Sequence, residues 1–508
     1  MAGGFRIAQI VAVCMGASLL GAPTQDPAAK QHADKAVDYI QAGDLRNAEA
    51  ELRSAITLAP ADSSYLTSLG GVLGMQGKLP EANTYFERAV KANPADATAR
   101  RNLAANQWRL GQLKPAQANL ERLLRSEPQD KAATLLLGMV LENLREYARA
   151  VKLLGSIPDV VSQRPETVAA LASACYHTAR RNQAHELLAG LLGHPADAQG
   201  IFKAAGVAAQ AADYGIAEKL FESIADRYPD QARLTYNLAL IYYRTGRVAE
   251  CQKALLTLAN SGRATADVYD LLGQSHQAQG HTTEAVHAIE SAIQHDPGNE
   301  SHYAGLVAIL LDAKRLPVAL EITNTMTAAF PASASAFLTQ GQVLLKVSQY
   351  TDAVRAFRRA VELDPSSVNA QAGLASAQWS SGLRAEAQTA FENLIKQHPH
   401  DAAVFETYAT LMLDSAPDNA SETRATALLK TAVSLDAKLV ESHYRLGSLA
   451  LKNENMAEAL QHLEVAARLD PRQSKIQFAL ARLYRRLGRT DDATASMRRY
   501  EDLKAADR

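Results

Sequence analysis

The stretch "GQVLLKVSQYTDAVRAFRRAVELDP", Gly341 to Pro365, decides the fold. Leu344 follows Gly341 at a spacing of three, and Ala353, Phe357 and Ala360 follow one another at spacings of four and three. Such spacings put side chains on one face of a helix. "VSQY" interrupts the apolar pattern between the two stripes. Pro365 then stops the second stripe, because proline cannot extend the hydrogen-bond ladder. The segment predicts two short helices joined by a tight turn. Small residues (Gly341, Ala353, Ala360) stand where the helices approach, and large ones (Leu344, Phe357) fill the space beside them.

Pro365 is one of a series. Pro60, Pro94 and Pro128 stand 34 residues apart, as do Pro195 and Pro229, and Pro297, Pro331, Pro365 and Pro399. Counting the proline as the thirty-second place, the same small and large places recur. The repeat from Ser63 has Gly70, Ala82 and Ala89, with Leu66, Leu69, Leu73 and Phe86. The repeat from Ala266 has Gly273, Ala285 and Ala292. The turn between helices often holds glycine: Gly43, Gly77, Gly111, Gly246, Gly280, Gly382, Gly488.

This small-and-large signature on a 34-residue helix–turn–helix unit resembles the tetratricopeptide repeat. "YAGLVAILLDAKRLPVALEITNTMTAAFP", Tyr303 to Pro331, is a weaker copy. Units begin near residues 29, 63, 97, 131, 166, 198, 232, 266, 300, 334, 368, 402, 440 and 474. The expected fold is all-α, a right-handed α-solenoid of about fourteen helix-turn-helix units. The expected organisation is a signal peptide over 1–22, a short linker over 23–28, and a first solenoid segment of about four repeats over 29–158. An irregular joint follows at 159–165, where Pro158 and Pro165 break the phase, and then a second segment of about ten repeats over 166–508. The seventh repeat reads "ANSGRA" where its proline is expected, and the twelfth carries a longer turn, "LDSAPDNASETRA". The repeats leave no room for a separate catalytic domain.

Bulk properties agree with a binding protein and not with a polyanion reader. Net charge is −1 and pI near 6.9, so no global field recruits nucleic acid or an anionic membrane. "MAGGFRIAQIVAVCMGASLLGA" has one early charge, Arg6, and then an apolar run too short to span a bilayer comfortably. It reads as a secretory signal peptide, with an uncleaved N-terminal anchor as the alternative. Pro23 is a poor neighbour for cleavage after Ala22, and Cys14 lacks the small residue before it that a lipoprotein site wants. The expected location is exported, in the periplasm or cell envelope, with no integral membrane span after signal removal. Of the remaining cysteines, Cys251 stands at the twentieth place, normally alanine, and Cys175 lies in a first helix. Both read as buried free thiols.

The residues point to no metal or cofactor. His276, His281, His287, His295 and His302 contain no pair at the spacing of a helical metal site. "LGGVLGMQGK", Leu69 to Lys78, imitates a phosphate loop. Yet Gly71 to Gly77 leaves five residues between glycines where four are needed, and Leu79 follows the lysine where Ser or Thr belongs. Gly70 reads as the small eighth place and Gly77 as the turn. Gly71 and Gly74 would leave a bare groove floor with room for a peptide backbone.

The resemblance implies ligand contacts from the second, fifth, sixth, ninth, twelfth and thirteenth places of first helices. Carried over, these are Arg101, Asn102, Trp108 and Arg109 in the third repeat, and Arg233, Tyr236, Asn237, Tyr243 and Arg244 in the seventh. Asn369 and Trp379 follow in the eleventh, and Tyr444, Arg445, Phe478, Arg482 and Arg485 in the last two. Aromatic residues and arginine dominate binding hot spots. The alternative is that the aromatics pack against the next repeat. The clamp that some family members use for chaperone tails is not matched, since the second repeat offers Thr67 and Gly71 and the fourth Ala132 and Leu136. The basic last repeat (Arg482, Arg485, Arg486, Arg489, Arg498, Arg499) reads as a solvated cap or as a patch for an acidic partner. The implied function is non-enzymatic: a scaffold or adaptor of the bacterial cell envelope that binds proteins or peptides in a concave groove. The alternative is an accessory subunit of an envelope secretion, polysaccharide-export or glycosyltransferase machine.

Overall fold

A computed structural model describes residues 26–193, 197–415 and 418–506. The signal peptide expected at 1–22, with Cys14, lies outside the described residues, as do Pro195 and part of the long turn of the twelfth repeat. Among the described residues there are 29 helices and no strand. They form fourteen helical pairs plus one short helix, Pro158–Val161. No helix among them is long and apolar enough to cross a membrane.

The repeat is built from local signals. A polar residue at the thirty-fourth place caps the next first helix. Asp62 Oδ1 accepts from Ser64 N at 2.9 Å, Asp96 Oδ1 from Ala99 N at 2.9 Å and Asp130 Oδ1 from Ala133 N at 2.9 Å. Each satisfies a backbone donor that the first turn leaves without a partner. The first helix ends in a left-handed residue, such as Gly77 with φ +80°. Glycine adopts that conformation without a steric penalty. The second helix then folds back, so that the eighth-place glycine meets the large residue at the twenty-fourth place.

The chain forms two compact units, Met1–Arg263 and Ala264–Arg508. In each, a helix packs on its sequence neighbours, and first helices also pack side by side, as Ser63–Met75 does on Ala97–Arg109. In the first unit one core cluster joins Ala29 to Leu103 and another joins Ala104 to Ile241. The second runs without interruption through 155–165. There the second helix of the fourth repeat, Tyr147–Leu154, stops at Gly155, and Pro158–Val161 turns the chain. Ile157 and Val161 stay in the core, and Thr167 Oγ1 donates to the Val161 carbonyl at 2.5 Å. In the second unit, satellite cores such as that around Phe391, Tyr408 and Leu429 follow the same pattern. Cys175 and Cys251 are buried free thiols. Burial pushes both thiols up, Cys251 to about 11, which removes them from thiolate chemistry at neutral pH.

Candidate functional site

Twelve of the sixteen side chains expected in the groove fall into three classes. The first class ties neighbouring repeats together. Trp108 Nε1 donates to Asn143 Oδ1 at 2.8 Å, from the twelfth place of one repeat to the thirteenth of the next. Gln277 Nε2 and Asp312 Oδ2 make the same link at 3.0 Å. Trp379 Nε1 donates to Ser415 Oγ at 2.8 Å, and its indole stands edge-on to Tyr408. Arg109 reaches backwards, with Nη1 donating to the Gly74 carbonyl at 3.2 Å. Arg101 Nη1 pairs with Asp130 Oδ2 at 2.6 Å. Tyr444 lies under Lys475 Nζ at 4.8 Å.

The expected bare floor of the second repeat needs correcting on this point. Gly71 and Gly74 are buried, and the guanidinium of Arg109 lies 3.6 Å from where a Cβ at Gly74 would stand. The absent side chain at Gly74 makes room for this arginine from the next repeat. Burial lowers its pKa from the ordinary value.

The second class is exposed or half-buried. Arg233 stacks its guanidinium 4.9 Å from the Phe202 ring, and Arg244 and Arg482 project into solvent. Tyr236, Asn237 and Tyr243 are half-buried beside Arg233 on the helix Gln231–Arg244. Asn237 Nδ2 donates back to the Arg233 carbonyl at 2.8 Å.

The third class is Asn102, which is only 4% exposed. Its Oδ1 has no hydrogen-bond partner. Two further buried polar atoms nearby in the pattern also lack partners: Thr67 Oγ1 and Arg101 Nε. They stand at the fifth place of the second repeat and the fifth of the third, on first helices that pack side by side. A buried polar atom without a partner costs about 1–3 kcal/mol. Two of the three stand at matching places and Asn102 one place further on, and a ligand or solvent would satisfy them. Together they offer a hydroxyl, an N–H donor and a carbonyl acceptor.

Two features were missed in the sequence. Thr67 counted there only as a missing clamp residue, although its place matches Arg101. The lateral links separated by 35 residues, the period plus one, were readable from spacing alone: Trp108 with Asn143, Gln277 with Asp312. Among the described residues no group of three metal-ligating side chains converges.

Family profiles described as tetratricopeptide repeat match residues 75–140, 208–274, 344–411 and 450–507, and a second such profile matches 33–97 and 271–334. No curated protein matches the chain. Among solved structures, the chain is similar to yeast Tom70 at 18% identity, covering 94% of this chain and 93% of that one, with a TM-score of 0.42. It is similar to a tetratricopeptide repeat protein from Parabacteroides merdae at 21% identity, covering 56% and 100%, with a TM-score of 0.31. It is also similar to a chain of the APC/C hetero-tetramer Cut9-Hcn1 at 12% identity, covering 94% and 98%, with a TM-score of 0.36. With the first profile alone spanning more than half of the residues, and the helix pairs keeping its period, the chain belongs to the tetratricopeptide-repeat family.

Proposed function

We propose that this chain is a non-enzymatic scaffold that holds an extended peptide segment of a protein partner against the first helices of its second and third repeats. Its repeats support protein binding as the general role. The observation that carries the finer reading is the set of buried, unpartnered polar atoms at Thr67, Arg101 and Asn102. A peptide main chain alternates carbonyl acceptors and N–H donors. Arg101 Nε–H would give to a carbonyl, and Asn102 Oδ1 would take from an N–H. Each bond formed would also relieve a desolvated group, so affinity would come from main-chain contacts with little demand on peptide sequence.

The test is selection of peptides from a random display library on the full chain, followed by comparison with Asn102→Ala. Expected is a loss of about ten-fold or more in affinity, equivalent to one well-made buried hydrogen bond, with unchanged thermal melting. Selected peptides that bind wild type and Asn102→Ala alike would sink the reading.

The setting we propose is the bacterial cell envelope, on the strength of the Arg6-led apolar run before Pro23. Fractionation of cells producing the full chain, with N-terminal sequencing of the product, tests it. Recovery in the soluble interior with Met1 intact would overturn export.

A further inference from the structure

The first helix of the last repeat, Ser474–Arg486, turns Ile476, Ala479, Leu480 and Leu483 into the core. Its other side carries Lys475, Phe478, Arg482 and Arg485 at spacings of three, four and three, which is one helix face. Phe478 is 40% exposed and is the one aromatic among the large apolar side chains left exposed in the described residues. Its ring centroid lies 5.2 Å from that of Tyr500 on the second helix, which steadies it.

The charges on this face are unevenly used. Lys475 Nζ pairs with Glu441 Oε2 at 2.6 Å. Three nearby arginines off this face are likewise engaged, whereas Arg498 and Arg499 on the second helix are exposed and make no ion pair among the described residues. Arg489 pairs with Asp492 at 2.7 Å, Arg445 pairs with Asp414 and Glu441, and Arg486 donates to the Leu451 carbonyl at 3.0 Å. Arg482 and Arg485 are exposed and make no side-chain hydrogen bond or ion pair among the described residues. They occupy the ninth and twelfth places. In repeats eight to thirteen those places hold Gln274 and Gln277, Ala308 and Leu311, Gln342 and Leu345, Ser376 and Trp379, Thr410 and Leu413, Ser448 and Leu451. All are uncharged. Charge that served only to keep a terminal repeat in water would have no reason to fall at both of these places beside an exposed ring.

We propose that this face docks an acidic peptide segment with an apolar side chain among its carboxylates. The carboxylates meet Arg482 and Arg485, whose planar guanidinium groups take carboxylate oxygens in pairs. The apolar side chain lies on Phe478. A polyanion without apolar side chains fits less well, because it leaves the exposed ring of Phe478 uncovered. The face is separate from Asn102 and its neighbours, and either site can fail alone.

The experiment is fluorescence anisotropy with the full chain and a labelled peptide of glutamates around a central leucine. Binding is expected. The double variant Arg482→Glu, Arg485→Glu should weaken it about ten-fold or more. Phe478→Ala should weaken it several-fold, while Asn102→Ala should leave it unchanged. The double variant Arg498→Glu, Arg499→Glu, on the second helix, should also leave it nearly unchanged. Circular dichroism of each variant checks that the repeat stays helical. The proposal is overturned by absence of binding, or by an equal loss in the Arg498 and Arg499 variant, which would mean diffuse charge. Displacement of the peptide by phosphatidylglycerol vesicles or a single-stranded oligonucleotide, bound more tightly than the peptide, would overturn it as well.

Discussion

Gly70 lies against the ring of Phe86 so closely that a Cβ at position 70 would stand 2.8 Å from Phe86 Cδ1. The same relation joins Gly341 to Phe357 at 2.8 Å and Gly273 to Ile289 at 2.5 Å. The glycine that imitates a nucleotide loop is therefore the seam between two helices. Phe86 is 2% exposed and has nowhere to retreat. Gly70→Ala gains about 1 kcal/mol of helix propensity but overpacks the seam at a cost of about 1–3 kcal/mol. The expected net effect is a lower urea midpoint, partly restored by adding Phe86→Leu. Gly206→Ala is the contrast. Nothing lies within 4 Å of its Cβ position, and it should stabilise. Equal responses at 70 and 206 would refute the seam.

Lys314 closes its first helix with φ +57°, at the place where other repeats have glycine. A left-handed conformation costs a side-chain-bearing residue about 1–2 kcal/mol. Lys314→Gly should therefore raise stability by about 1 kcal/mol, less whatever glycine adds to the entropy of the unfolded chain. Hydrogen exchange of the helix Glu300–Asp312 is the direct readout. Faster exchange there would count against the argument.

Trp108 looks like a hot-spot aromatic, but its indole N–H is committed to Asn143. Trp108→Phe keeps most of the packing and removes one hydrogen bond, for about 1 kcal/mol of stability. Asn143→Ala should cost a similar amount, and the double variant little more than either single one. Peptide affinity should not change in Trp108→Phe. A large drop in affinity with intact stability would place the indole in the binding surface instead.

How far the sequence could be read follows from the range of each interaction. The helix pairs, turns and core places repeat at one period, so many weak signals added up. Pro365, Gly341 and Phe357 recur as a set, and the helices appear at those bounds. Side-chain direction is set by single contacts that do not repeat. Gly71 and Gly74 look like open floor until Arg109 is placed on the Gly74 carbonyl. Asn102 reads as a groove residue, and only the packed helices show that its Oδ1 is both buried and unpartnered. The division of compact units at Arg263 and Ala264 falls where "ANSGRA" replaces the proline, whereas the phase break at 155–165 keeps one continuous core.

His443 and His462 share a single short contact, Nδ1 to Nδ1 at 2.9 Å, between the two helices of the thirteenth repeat. No spacing rule announces it. His443 Nε2 lies 3.2 Å from the Ala437 carbonyl, which can only accept, so that nitrogen carries the proton. His443 Nδ1 is then the acceptor and His462 Nδ1–H the donor. Protonating both rings would break this bond and set two cations side by side. Burial lowers the pKa of both imidazoles, and for His462 the neighbouring His443 lowers it further. Glu458 on the same helix pulls His462 the other way, and Lys430 from the twelfth repeat, paired with Glu458 at 2.9 Å, pushes it down again. Because both folded pKa values lie below the unfolded value of about 6.5, the unfolded chain binds more protons. The stabilisation is complete above about pH 6.5 and is lost as pH falls through the folded values. The measurement is the urea midpoint, with hydrogen exchange over 440–469, from pH 7.5 to 5. Wild type should lose protection there on acidification, and His443→Gln with His462→Gln should flatten that loss. An unchanged pH slope in the double variant would show that the pair does not set it.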